Sequence, residues 1–297
     1  MKMNSIAKTW MRRTVALSAV CGLLLALPGY KPKTFRMGFT PVESGAAMQQ
    51  ITAPVVKAMS QAIGMKVVTS IAADYVGTIE AMRAGKVDAA LLSPAAMVMA
   101  RKKAGAKPLL KTKYKGKTSY FAVIFTKADA PFKTIADLKG QTFAFVDPGS
   151  TSGYVVPALM LMKAGVKPDR DLKHVLNAGT HDAVLQAVLH GQAAAGASFQ
   201  KQKGEWPLQD SLKNPDELKK LRVLAYSDPI PDQGVAVNAT LDADLQKRVA
   251  DFFIHLSDTP EGRKMIGKFY KVDAFVPAGE NDWKPVEDAF AAIGRKI

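Results

Sequence analysis

From residue 34 onward, short apolar runs alternate with amphipathic stretches. Thr34–Phe39 alternates apolar and polar positions, as a half-buried strand does. Met48–Ile63 carries apolar residues at helical spacing, and Gly64 follows as a stop. Lys66–Ile71 reads as a strand, Val76–Ala84 as a helix closed by Gly85, and Val87–Leu92 as a buried strand. The pattern then recurs. Phe121–Phe125 and Thr142–Val146 predict strands, and Tyr154–Ala164 predicts a helix ended by Gly165. Asp182–Leu189 predicts another helix, ended by Gly191, and Ala193–Ser198 a short strand. Leu241–Leu256 is again helical in period and is expected to return onto the first part of the chain. Strands alternating with helices predict the α/β class with parallel sheets.

The recurrence extends to single positions. When Asp74–Lys86 is laid on Thr180–Gln192, Glu80 meets Gln186, Ala81 meets Ala187, Gly85 meets Gly191 and Tyr75 meets His181. This weak repeat describes two similar α/β lobes that face each other. Each lobe offers polar-tipped helix N-termini to the space between them.

The first 30 residues follow another pattern. Lys2, Lys8, Arg12 and Arg13 precede an almost unbroken apolar run, Val15–Leu27. That run is shorter than the ~20 residues of a membrane span, and a basic head before a short apolar core is the form of a secretory signal. Ala26-Leu27-Pro28-Gly29 lacks the small-x-small cleavage pattern, so an uncleaved anchor is the alternative. Cys21 lies inside this segment and is the only cysteine, and Val20 before it is too large for a lipoprotein site. The exported chain would hold no disulfide and no thiolate metal site. The four histidines, His174, His181, His190 and His255, have no metal-ligand spacing, so no metal or other cofactor is expected.

Charge adds a preference for anions. The 297 residues carry 41 Lys and Arg against 26 Asp and Glu; without the four cations of the leader the balance is 37 to 26, or +11. Such an excess attracts nucleic acid or small anions. The densest stretch, Arg101–Lys117, has one aromatic residue, Tyr114, and no nucleic-acid motif, so it reads as a solvated basic face.

Asp147-Pro148-Gly149-Ser150-Thr151-Ser152-Gly153 joins the strand ending at Val146 to the helix from Tyr154. A strand, a small hydroxylated turn and a helix aim backbone N–H groups at an anion. Ser150, Thr151 and Ser152 add three hydroxyls, whereas plain capping needs one. The turn lacks the spacing of a nucleotide loop or of a hydrolase elbow. Thr180 caps the next helix, and its dipole disfavours protonation of His181 while leaving it one N–H to donate, with a surface histidine as the alternative. Tyr75, Ser44 and Asp232 are further candidates, each with a local role as the alternative: half-buried aromatic, helix cap and turn former. Micromolar capture requires about 8 kcal/mol. A helix terminus gives about 1 kcal/mol and a hydrogen bond to a charged group about 1.5–3. A site shared by both lobes is therefore needed.

On Phe39-Thr40-Pro41, Asp74-Tyr75-Val76-Gly77, Gly85-Lys86-Val87-Asp88, Asp147–Gly153, His181 and Ile230-Pro231-Asp232, the chain resembles the phosphate/phosphite/phosphonate substrate-binding proteins of ABC transporters, from roughly Phe35 to Asp273. The resemblance implies a type II periplasmic-binding-protein fold, with residues 31–122 plus 235–297 as one lobe, 123–234 as the other, and crossings near Tyr120–Thr126 and Ser227–Val235. It implies that Ser150, Thr151 and Ser152 hold phosphorus oxygens, that Tyr75 and His181 join them, and that Asp232 contacts the ligand or its substituent. It further implies a periplasmic monomer that serves inner-membrane permease subunits, without catalysis and without nucleic acid. Two departures stand out. Leu92-Ser93-Pro94 replaces the usual Gly-Pro or aromatic-Gly, so that Ser93 supplies a hydroxyl. Gly196–Gln200 has no acid to meet an ammonium group, which points to phosphite, hypophosphite or methylphosphonate. A receptor for another solute, a sensor input protein, and an esterase or phosphatase using Ser152 and His181 are the rival readings.

Overall fold

A computed structural model describes residues 33–206, 215–267 and 271–297. The expected leader, with Cys21, lies outside these residues. Six strands form the first sheet: β1 (Phe35–Phe39), β2 (Val67–Ile71), β3 (Ala89–Leu92), β4 (Lys107–Lys113), β11 (Gly234–Val237) and β12 (Ala274–Pro277), in the order β12-β4-β11-β3-β1-β2. The second sheet holds β5 (Ser119–Lys127), β6 (Thr142–Phe145), β7 (His174–Asn177), β8 (Ala195–Gln200) and β10 (Ile230–Pro231), in the order β10-β5-β8-β6-β7. A further strand, β9 (Leu221–Tyr226), also pairs with β5. In each sheet one strand, β1 or β6, is flanked on both sides by parallel partners, while the later strands add antiparallel. The two sheets with their covering helices are the two lobes of a type II periplasmic-binding-protein fold.

The helices form where the apolar period lies. α1 (Gly45–Ile63) buries Met48, Val55, Met59 and Ile63 on the first sheet and ends at Gly64 in the left-handed conformation. α2 (Tyr75–Arg83) and α3 (Pro94–Ala104) cover the same lobe. In the second lobe, α4 (Val156–Lys163) and α5 (His181–Leu189) take that place. α6 (Ala243–His255) buries Leu245, Val249 and Phe253, and the Arg248 guanidinium donates to the Ile63 carbonyl at 2.7 Å, so the C-terminal part does return to the first lobe. α7 (Pro260–Gly267) and α8 (Lys284–Ala292) complete the chain.

The chain passes between the sheets at residues 114–118 and 232–233, so the first crossing lies before the Tyr120–Thr126 expected, and β5 belongs wholly to the second sheet. A hinge adjoining a long apolar strand gives no sequence signal of its own. The two crossings are tied together: Asp232 N–H donates to Thr118 O at 2.9 Å, and Thr112 N–H donates to Gln233 O at 2.9 Å. The basic stretch Arg101–Lys117 is also more than a surface face. It contains β4, an interior strand of the first sheet, and its cations are partly paired, Lys102 with Glu287 at 2.6 Å and Lys111 with Asp282 at 2.8 Å.

Candidate functional site

Four helical starts converge on one cavity between the lobes. α2 opens with Tyr75 and α5 with His181, at equivalent places in two nine-residue helices capped by Asp74 and Thr180. α3 opens at Pro94 behind its cap Ser93. α4 is preceded by a wide π-helical turn, Thr151–Val155, in which Val155 N–H reaches Ser150 O at 3.0 Å. Such single wide turns recur at functional sites. The Ser150 hydroxyl takes the Gly153 N–H at 3.1 Å, which leaves the first N–H groups of the turn, at Thr151 and Ser152, without an intrahelical acceptor. Tyr75, Ser93, Ser150, Thr151, Ser152, His181 and Asp232 all line this cavity, and all are buried. The space inside is small, leaving about 30 Å³ in which the centre of a water molecule can sit.

Ser44 does not join them. It is exposed and caps α1, accepting from Ala47 N–H at 3.4 Å, and Val42 of the same loop lines the cavity instead. Capping is a local property and does not say which side of a lobe a cap faces. Two other hydroxyls are engaged in holding the lobes together. Thr151 Oγ1 accepts from Ala95 N–H at 2.7 Å, while the Ser93 hydroxyl donates to Gly149 O at 3.3 Å and accepts from Ala96 N–H at 3.2 Å. His181 N–H donates to Val42 O at 3.0 Å, again from one lobe to the other. Gly149 lies so close to the first lobe that a Cβ there would stand 2.7 Å from Tyr75 Cβ.

The sequence reading missed Tyr120, Lys201 and Gln233, which also line the cavity. The Lys201 ammonium sits 2.6 and 2.5 Å from the two carboxylate oxygens of Asp232, with side-chain exposures of 3% and 2%. Asp232 therefore reaches the cavity with its carboxylate already held by a lysine. Gln233 Nε2 is buried with no hydrogen-bond partner, a donor available to a ligand. Tyr120 stands at the start of β5, its hydroxyl paired with Ser152, as that of Tyr75 is paired with Ser150.

The remaining titratable groups are neutral. Burial pushes the Tyr75 and Tyr120 phenols well above their ordinary range, against the lowering effect of their serine partners. Burial likewise depresses His181, from 6.5 to about 3. Its Nδ1 lies 3.1 Å from the Ser198 hydroxyl, so Nε2 is the ring nitrogen left for a ligand. As pH falls, the unfolded chain takes up this proton near 6.5, whereas the folded chain resists it down to about 3. The associated stability is complete above pH 6.5 and is lost progressively below it. Between pH 7 and pH 5 the loss from this residue should be about 2 kcal/mol. Urea unfolding at the two pH values should show a shallower acid loss in His181→Gln. An equal loss in both proteins would mean that the ring is solvated.

The family model for the periplasmic substrate-binding protein of phosphonate ABC transporters matches residues 37–283. The phosphonates-binding periplasmic protein of Escherichia coli is 28% identical over 241 residues, covering 79% of this chain and 69% of that one. The phosphate-import protein PhnD of Mycolicibacterium smegmatis is 28% identical over 232 residues, 75% of this chain and 71% of its own. Among solved structures, a binding protein component of a Pseudomonas aeruginosa ABC phosphonate transporter superposes with a TM-score of 0.81 at 25% identity, covering 89% of this chain and 87% of that one. A Prochlorococcus marinus protein solved in complex with methylphosphonate has the same fold, with a TM-score of 0.77 at 19% identity, covering 90% of this chain and 100% of its own. With the two-lobed fold and the hydroxyl-rich cavity between its sheets, the chain belongs to the family of periplasmic substrate-binding proteins of phosphonate ABC transporters.

Proposed function

We propose that this protein captures a small phosphorus oxyanion, phosphite or a short phosphonate, in the periplasm and delivers it to the permease of an ABC importer. The observation that carries this reading is the convergence of Ser150, Thr151, Ser152, Tyr75 and His181 with two helix N-termini on one small cavity. Each element supplies neutral donors, and helix starts favour an anion without introducing a counter-charge. The names of the relatives support the ligand class: one binds phosphonates, one imports phosphate, and one was solved with methylphosphonate.

In this reading the residues carrying the first sheet, 35–113 and 234–297, move as one lobe against 119–231, and the protein works as a monomer after removal of its leader. The basic excess draws small anions, not nucleic acid. An ester hydrolase using Ser152 and His181 is disfavoured. A histidine held neutral down to about 3, with Ser198 and no carboxylate on its Nδ1, is a poor general base.

The test is a thermal-shift panel on the chain from Lys31, with phosphite, hypophosphite, methylphosphonate, phosphate, sulfate and nitrate. A ligand at a hundred times its Kd should stabilise by about 2.7 kcal/mol, a shift of several degrees. Ser152→Ala and His181→Asn should each weaken binding by roughly 1.5–3 kcal/mol, or about 10- to 100-fold. Stabilisation by sulfate or nitrate alone would overturn the assignment, as would the absence of any shift with a phosphorus anion.

A further inference from the structure

We propose that Lys201 is a specificity-determining residue: its ammonium fills, from the protein's own chain, the place against Asp232 that a cationic group on the ligand would otherwise take. This inference rests on the reading of the cavity as a phosphorus-oxyanion site.

The geometry is that of a completed ion pair built into a ligand cavity. Lys201 lies directly after β8, and Asp232 lies on the crossing segment before β11. Their side chains are almost fully buried, and the ammonium addresses both carboxylate oxygens at 2.6 and 2.5 Å. The carboxylate also accepts from Gln233 N–H at 2.8 Å, and the ammonium lies 5.5 Å from the centre of the Tyr120 ring. Both residues border the same cavity as Ser150, Ser152 and His181.

A bare carboxylate facing an oxyanion would repel it, and a buried charge requires a partner. Here the partner is covalently present. A ligand bearing an ammonium group beyond its phosphorus would meet a like charge and a carboxylate already paired, and β8 offers no acid in its place. A ligand with a hydrogen or a methyl group on phosphorus has nothing to place there. Lys201→Ala inverts the situation: it strips the carboxylate and vacates the length of a lysine side chain beside the anion-binding hydroxyls. A molecule that carries both phosphonate and ammonium then restores the pair from the ligand's side.

Isothermal titration of the wild-type chain and of Lys201→Ala with methylphosphonate, propylphosphonate and 2-aminoethylphosphonate tests the proposal. In the wild type, methylphosphonate should bind at least tenfold more tightly than the amine. In Lys201→Ala the amine should gain at least tenfold on methylphosphonate, and should gain more than propylphosphonate, which matches its length but lacks the charge. Adding Asp232→Ala should abolish that gain. Lys201→Gln keeps a hydrogen bond to the carboxylate without the charge; it should shrink the amine's penalty at least fivefold and serves where the alanine variant does not fold. A wild type that binds the amine as tightly as methylphosphonate overturns the proposal. So does a Lys201 variant that leaves the order unchanged or helps both longer ligands equally. A wild type that binds none of the three and no phosphite overturns the oxyanion reading itself and the proposal with it; one that binds phosphite alone overturns the proposal if Lys201→Ala gains no binding of the amine.

Discussion

Asp232→Ala is expected to lower the stability of the unliganded protein by about 3–5 kcal/mol, because it leaves the Lys201 ammonium buried without its partner. Against a total stability of about 5–15 kcal/mol, a loss of that size threatens folding itself. The Asp232 carbonyl keeps its bond from Trp283 Nε1 at 2.8 Å whatever the side chain, while the buried Gln233 N–H loses its carboxylate acceptor and adds to the loss. The double substitution Lys201→Met, Asp232→Val removes both charges with little change in volume. It should recover most or all of the loss, since well-packed apolar pairs commonly equal or exceed buried ion pairs in stability. Urea unfolding of the three proteins measures both effects. A loss below about 1 kcal/mol in Asp232→Ala would place the pair among solvated surface pairs. Recovery in the double variant would show that the pair is retained for something other than stability.

Gly149→Val should cost about 100-fold in affinity for methylphosphonate while leaving the unliganded melting temperature nearly unchanged. The φ of Gly149 lies outside the left-handed region, so its backbone accepts a side chain. What chiefly excludes one is the facing lobe: a Cβ would stand 2.7 Å from Tyr75 Cβ and 3.1 Å from Met99 Cε, with Asp147 Oδ1 of its own turn also at 3.1 Å. Overpacking of this kind costs about 1–3 kcal/mol. In a two-lobed protein that cost falls on the closed form, the one that encloses the ligand, because opening relieves it. Titration with methylphosphonate and a melt without ligand separate the two contributions. A lowered melting temperature with unchanged affinity would mean that the contact belongs to permanent packing and not to closure.

Much of this arrangement is legible in one sequence where a local pattern carries it. The buried strands β3 and β6 are near-continuous apolar runs, and the two nine-residue helices repeat closely enough to align Tyr75 with His181, which the structure brings to the same cavity. The Ser150–Ser152 turn is legible because three hydroxyls exceed what capping consumes. The wide turn at Thr151–Val155 is not, since nothing in Thr-Ser-Gly-Tyr-Val distinguishes it from an ordinary helix start. Ser44 and Ser93 are equally good caps in sequence, and only tertiary placement sends one to solvent and the other to the cleft. Lys201 is one of 41 cations, and its burial depends on a carboxylate 31 positions away; Gln233 and Tyr120 are likewise placed by the crossings. Long-range pairs of this kind leave no period and no motif.

The internal neutrality of the cavity separates attraction from recognition. Lys201 cancels Asp232, and the phenols and the imidazole carry no charge, so the lining has no net charge with which to draw an anion from a distance. The long-range pull must come from the cations on the outside of the molecule, which is open to solvent and thinned by counter-ions within about 10 Å at 0.1 M. Ionic strength therefore acts on how often an anion arrives and hardly at all on how firmly it is held once enclosed. A receptor built this way keeps its grip in brine and in fresh water alike, and changes only its rate of encounter.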